Sequence, residues 1–167
     1  MKLIKELLKI YYASLSPSGC NRQPWRFVVL QNDKDLKNKV ADLLANCVNK
    51  NEFTLKEKGD LINAARIIKE APVFVLVFNK FTDIDDYYML KSNLVSIGSS
   101  IEHLLLRATD LNIGSLWLGV VNHMEDELKE LLNKPDMRIV AGIVLGYSNQ
   151  EPKDRGRLSL DEICDWR

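Results

Sequence analysis

Apolar positions along the chain alternate between helical and strand-like spacing. Leu3, Leu7 and Ile10/Tyr11 recur at helical intervals, and Ser16-Pro17 ends that pattern. Phe27 to Leu30, just after Pro24, is a short β-rich run and reads as a strand. Leu36, Val40, Leu43 and Leu44 mark a second amphipathic helix, with Asn32 or Asp33 as its N-cap. The stretch from Asn49 to Gly59 is polar and predicts no element. A third helix is expected from Asp60 to about Glu70, stopped by Ala71-Pro72. Val73 to Phe78 is apolar on both faces, which marks a central strand covered on each side.

Leu94, Ile97, Ile101, Leu104/Leu105, Ala108 and Leu111 then keep a helical stripe, the longest in the chain. Inside it, Gly98-Ser99-Ser100 lowers helix propensity. Two readings stay open for these small residues: another backbone packs closely there, across a dimer interface, or a bulky side chain of the same chain covers them. Asn122 with Glu125 resembles a capping box before Leu128, Leu131 and Leu132, and Pro135 closes that helix. Ile139 to Leu145 is a second doubly apolar strand, followed by Gly146-Tyr147 and a polar tail from Ser148 to Arg167. Helices covering a sheet, in an α/β or α+β arrangement, are the expected class.

Composition narrows the partners more than the fold. The 167 residues suit one domain, residues 1–167, with no repeat or linker to divide it. Lys+Arg and Asp+Glu both number 23, so neither nucleic acid nor an anionic membrane is an expected partner. Cys20, Cys47 and Cys164 share no close spacing, which argues against a disulfide scaffold and for a reducing cytoplasm. The opening MKLIKELLKIYY is too charged for a signal peptide, and the longest apolar run, Ala71 to Phe78, is too short to span a bilayer.

Several common chemistries are absent. The sequence contains neither a P-loop nor a G-x-G-x-x-G fingerprint. His103 and His123 lack partners at metal-ligand spacing, so no metal site is expected. Cys20 has no histidine in an evident position to activate it as a nucleophile. One segment remains, Ser16-Pro-Ser-Gly-Cys-Asn-Arg-Gln-Pro-Trp-Arg-Phe27. Gly19 allows a close approach to the backbone, and consecutive N–H groups there form an anion- or carbonyl-binding concavity. The amides of Asn21 and Gln23 suit the pyrimidine edge of an isoalloxazine, which alternates acceptors and a donor. A plain helix-ending turn, with Trp25 and Phe27 in the core, explains the same residues.

The segment closely resembles the P-S-x-x-N-x-Q-P-W-x-F motif of the nitroreductase family, matching at Pro17, Ser18, Asn21, Gln23, Pro24, Trp25 and Phe27. Later features keep the order seen in that family. They are Ala71-Pro72 before a strand, a long helix ending Leu-Asn-Ile-Gly114, Ser115-Leu-Trp-Leu-Gly119, and a strand ending Leu145-Gly-Tyr147 before a basic tail. The resemblance runs from about Leu3 to the end. It implies an α+β fold with a central, mostly antiparallel sheet flanked by helices, in an intertwined homodimer with FMN at the interface. Carried over, Pro17, Ser18, Gly19 and Asn21 line the flavin, with Gln23 beside them. Backbone N–H groups of Trp117-Leu118-Gly119 reach the N5 side, unless Trp117 is simply a buried strand aromatic. Arg155 and Arg157 meet the FMN phosphate, for which guanidinium forks are suited, unless they belong to a solvated tail.

One departure matters. Most relatives carry an Arg-x-Ser-x-Arg element on the first helix that grips the phosphate, and this sequence does not contain it. Lys2, Lys5 and Lys9 offer charge without the motif. Losing two charged hydrogen bonds weakens binding by about 3–6 kcal/mol, or about 10²–10⁴-fold. Arg22, Arg155 and Arg157 remain to offset part of this loss.

The resemblance implies a ping-pong oxidoreductase in which NAD(P)H delivers a hydride to the flavin. An electron-poor small molecule then takes it: a nitroaromatic, a quinone or a second flavin. The chemistry is the cofactor's, so no catalytic acid or base is assigned. The alternative is a non-enzymatic dimer that binds a flavin or nucleotide loosely. Relatives that dehalogenate or fragment a substrate usually carry an added lid, for which Asn49–Gly59 and Thr82–Met89 are short.

Overall fold

The computed structural model describes residues 11–50, 53–81, 86–150 and 153–167. The first predicted helix lies outside these residues apart from its end, as do Lys2, Lys5 and Lys9. The chain runs α1 (Tyr11–Ser14), β1 (Trp25–Leu30), α2 (Lys34–Asn46), α3 (Leu55–Glu70), β2 (Val73–Asn79), α4 (Tyr87–Asp110), β3 (Gly114–Leu118), α5 (Glu125–Leu131), β4 (Arg138–Gly146) and α6 (Leu160–Ile163). Short 3-10 turns occupy Gly19–Asn21, Cys47–Asn49 and Gly119–Met124.

The four strands form one antiparallel sheet in the order β1-β2-β4-β3. This is the α+β class with an antiparallel sheet that the resemblance implies. Every residue of β2 is buried, as its unbroken apolar run requires of a central strand. One sheet face packs Phe74, Leu76, Phe78 and Val144 against α2, α3 and α5. The other packs Val73, Val75, Val77, Ala141 and Ile143 against α4. Gly142 is fixed by the first face: a Cβ there would lie 2.8 Å from the Phe74 ring and 3.0 Å from Val121.

Helix ends show where apolar spacing is a poor guide. Asp33 does cap α2, accepting from Leu36 N at 2.8 Å. Helix α3, however, starts at Leu55 rather than Asp60. Thr54 and Glu57 form a capping box in which Thr54 N donates to Glu57 Oε2 at 2.8 Å. Hydrogen bonds from the Thr54 side chain, then its backbone, hold the Glu57 carboxyl below the usual glutamate range. Helix α4 starts at Tyr87, capped by Asp86, well before the apolar stripe begins. It ends in a Schellman motif. Asn112 sits at φ 54, its N–H bonds to Thr109 O at 2.9 Å, and Ile113 N bonds to Ala108 O at 2.8 Å.

Asn122 does not cap α5, contrary to the sequence reading. It sits inside a 3-10 turn, and its Nδ2 donates to Val140 O at 3.2 Å. The register of β2 on β4 shifts between Val77 and Phe78, which pair with Ala141 and Ile139. Val140 is therefore the bulged residue, and Asn122 satisfies the carbonyl that the ladder leaves over. No helix among the described residues is long and apolar enough to cross a membrane.

Gly98 and Ser100, treated together in the sequence, separate in space. Ser100 is buried, and its Oγ donates to Ala13 O at 2.8 Å, tying α1 to α4. Among the described residues, a Cβ on Gly98 would meet nothing within 4 Å.

Candidate functional site

The conspicuous segment becomes a tightly folded loop between α1 and β1. Asn21 N donates to Ser18 O at 2.9 Å, and Arg22 N to Gly19 O at 3.1 Å. The Ser18 hydroxyl accepts from Gln23 N at 3.0 Å, so this side chain braces the loop from within. Gln23 Nε2 donates to Asn21 Oδ1 at 3.2 Å, which locks the two amides into one unit. Both residues are exposed, and Asn21 Nδ2 and Gln23 Oε1 carry no hydrogen bond among the described residues. A donor and an acceptor thus face solvent side by side.

The backbone is unusual at the same place. Cys20, Asn21 and Gln23 have φ of 52°, 53° and 48°, the left-handed region, although none is glycine. Each costs about 1–2 kcal/mol, less for asparagine, so the surrounding bonds must over-determine the shape. Gly19, the one glycine in the loop, does not have positive φ. A Cβ on it would lie 2.5 Å from Ser92 Oγ of α4 and 3.1 Å from Arg22 Nη2. Close packing of the loop on α4 therefore requires this glycine, a reason independent of any ligand. Trp25 is in the core and Phe27 packs beside it, so the plain-turn reading of those two residues also holds.

Four buried polar atoms, in the loop or on elements that pair with it or pack on it, lack hydrogen-bond partners among the described residues. They are Ser16 Oγ and Arg22 Nε within it, Asn79 Nδ2 on the strand paired with Trp25, and Asn93 Nδ2 next to Ser92. Asn79 and Asn93 are 0% and 2% exposed. Buried donors of this kind normally have an acceptor, from protein, solvent or ligand. The sequence reading missed Asn79, Asn93 and Ser92. The available signal was the polar set Asn93, Ser96 and Ser100, which sits at helical spacing on the buried stripe of α4.

The other expected site residues lie elsewhere in the chain. Trp117 is 41% exposed on β3, so it is not the buried strand aromatic of the plainer reading. It pairs with Ile143 and therefore projects on the α4 side of the sheet. Gly119 opens the next turn with free space around its Cα. β3 and the loop-bearing β1 are opposite edges of the sheet, with two strands between them. At ordinary spacing this is about 14 Å. Arg155 and Arg157 lie in an exposed tail, where Arg157 Nη1 donates only to the Arg155 and Gly156 carbonyls at 2.9 and 3.3 Å. Within one chain, then, the loop and the Trp117–Gly119 segment lie at opposite edges of the sheet.

Known proteins share this architecture. The sequence profile of the nitroreductase family matches residues 2–147. An inferred NADH dehydrogenase/NAD(P)H nitroreductase of Archaeoglobus fulgidus is 30% identical over 151 residues, spanning 89% of this chain and 74% of that protein. The crystal structure of a BluB-like flavoprotein from Clostridium difficile 630 superposes with a TM-score of 0.75 at 27% identity, covering 97% of this chain and 88% of the other. A nitroreductase with bound FMN from Desulfitobacterium hafniense DCB-2 shares the fold, with a TM-score of 0.76 at 23% identity and coverage of 97% and 87%.

Proposed function

We propose that the chain, which belongs to the nitroreductase family, is an FMN-dependent oxidoreductase acting as a homodimer. It takes a hydride from NAD(P)H and delivers it to an electron-poor small molecule such as a nitroaromatic, a quinone or a free flavin. The observation that carries this reading is the braced, left-handed loop with its paired Asn21 and Gln23 amides facing solvent. The unpartnered donors around it suit a ligand rich in acceptors, as a flavin is.

When bound, FMN supplies the two-electron redox chemistry, and the chain supplies placement. Asn21 and Gln23 orient the pyrimidine edge, with Pro17, Ser18 and Gly19 forming the wall beside it. Leu118 and Gly119 offer backbone N–H groups, and Trp117 keeps water from one side. Arg155 and Arg157 hold the phosphate. Because these groups sit on opposite sheet edges and on an extended tail, a second copy completes the site. Cys20 and Cys164, which form no disulfide among the described residues, suit a reducing cytoplasm.

The test is an absorbance spectrum of the purified protein before and after adding FMN and desalting, followed by NADH and NADPH oxidation. A retained flavin band with nicotinamide oxidation supports the reading, and Asn21→Ala should then lower flavin retention about tenfold. The exposure of the tail that carries Arg155 and Arg157 favours one other reading, a dimer that binds flavin or nucleotide loosely and catalyses nothing. A protein that oxidises neither NADH nor NADPH with FMN in excess would establish that alternative.

A further inference from the structure

The turn that follows β3 is fastened to β4 by contacts of different kinds. Gly119 opens it, and a Cβ there would meet nothing within 4 Å among the described residues. Val121 is fully buried, and its Cγ1 lies 3.0 Å from the point a Gly142 Cβ would occupy, so it packs directly on that glycine. On the other side, the His123 ring meets Phe53 edge-on, with 4.9 Å between centroids. Apolar contacts of this sort set how deep the turn sits, but they are non-directional and tolerate sliding. Asn122 supplies the directional contact, since its Nδ2 donates to Val140 O at 3.2 Å. The last pair of β3 on β4 is Leu118 with Gly142, and Val140 lies two residues further along β4 at the bulge. A side chain thus continues the ladder where the backbone of β3 leaves it. Asn122 is exposed, so it is not there to fill the core.

We propose that Asn122 is a positioning residue: its bond to the bulged Val140 fixes where the Gly119 turn presents its backbone N–H groups to the flavin ring. This role rests on the flavin reading above, whereas the fastening of the turn does not. Asn122 touches no cofactor. It acts through the turn, by holding the first residues after Leu118 in one register on β4.

Two variants test it. Asn122→Asp keeps the size and, ionised, loses the donor; Asn122→Ala removes the group. Amide hydrogen exchange is followed on the flavin-free proteins, and the midpoint potential, kcat and KM on the FMN-loaded ones. Both variants should exchange about 2- to 12-fold faster at Gly119 and Val120 than wild type. Once loaded, they should show a more negative flavin potential and a lower kcat, with KM for the nicotinamide unchanged. Asp33→Ala, which removes the α2 cap at similar cost to stability, should alter neither the exchange at the turn nor the potential. The role is overturned if exchange at the turn stays at the wild-type rate. It is overturned equally if exchange rises while potential and kcat hold, or if Asp33→Ala reproduces the whole pattern. Urea unfolding checks that each variant folds, and either Asn122 variant carries every readout if the other does not. Those outcomes remove this role and leave the flavin reading standing. A wild type that retains no flavin removes the reductase reading, and this role with it.

Discussion

The two faces of the sheet are finished to different degrees. On one, Phe74, Leu76 and Phe78 are sealed by α2, α3 and α5, and the glycine at 142 lets the Phe74 ring lie flat on β4. On the other, α4 covers the strands with its inner stripe but leaves Leu94, Val95 and Leu106 exposed around the open backbone of Gly98. Trp117 on the same side, and Leu158, Leu160, Ile163 and Trp166 in the tail, are exposed too. Solitary surface apolar residues need no explanation, but a helix face, a strand edge and a tail exposed together do. The closed face encodes the fold of one chain. The open face is what a second copy would use.

The largest effect should come from damaging the closed face. Phe74→Ala removes a fully buried ring and should cost about 3–5 kcal/mol in urea unfolding, with α4 and the loop lost along with everything else. A much smaller cost would mean that this face relaxes and that its apparent completeness has little energetic weight.

On the open face the expectation reverses. Val95→Asp should leave the single chain folded, because Val95 is 67% exposed. In the homodimer proposed above, a charge buried on this face would cost about 2 kcal/mol or more, so dimer dissociation should rise by roughly 30-fold or more. Sedimentation velocity across a concentration series would read this, and FMN retention should fall in parallel. An unchanged association would remove α4 from the interface.

The smallest effect tests only how the closed face is trimmed. Glu57 is ionised more readily in the folded chain than in the unfolded one, so its contribution to stability is present above the ordinary glutamate range near 4.3. It is lost as pH falls through the lowered folded value. The gap between wild type and Glu57→Gln in thermal melts should be constant near neutrality and close on acidification below that range. A gap that persists unchanged in acid would show that the capping box matters through shape alone.

The closed face was also the legible one. Val73–Phe78 and Ile139–Leu145 could be read as central strands because burial on both sides leaves an unbroken apolar run, and each grew by only a residue or so at its ends. The start of α3 was missed because Leu55 is 91% exposed and the helix is begun by polar capping at Thr54 and Glu57. The start of α4 was missed for the same reason, since Tyr87 and Tyr88 face outward. Asn122 was misread because an asparagine three residues before a glutamate also fits a bulge-bracing role, and only the register of β2 on β4 tells them apart. In the loop, the residue types pointed to recognition, whereas the reason for Gly19 and the direction of Arg22 depend on α4, about seventy residues away in sequence. Contacts of that range leave no periodic trace.

The bracing of the loop has a consequence for how fast a ligand can bind. Ser18 fixes Gln23, Gln23 fixes Asn21, and three residues are held left-handed before any ligand arrives. The strain is therefore borne by the folding of the whole chain, and none of it falls on the encounter. A receptor shaped in advance has little conformational entropy left to lose on binding. Association should be single-exponential and linear in flavin concentration, without the plateau that a slow rearrangement imposes, and differences among ligands should reside in how slowly they leave.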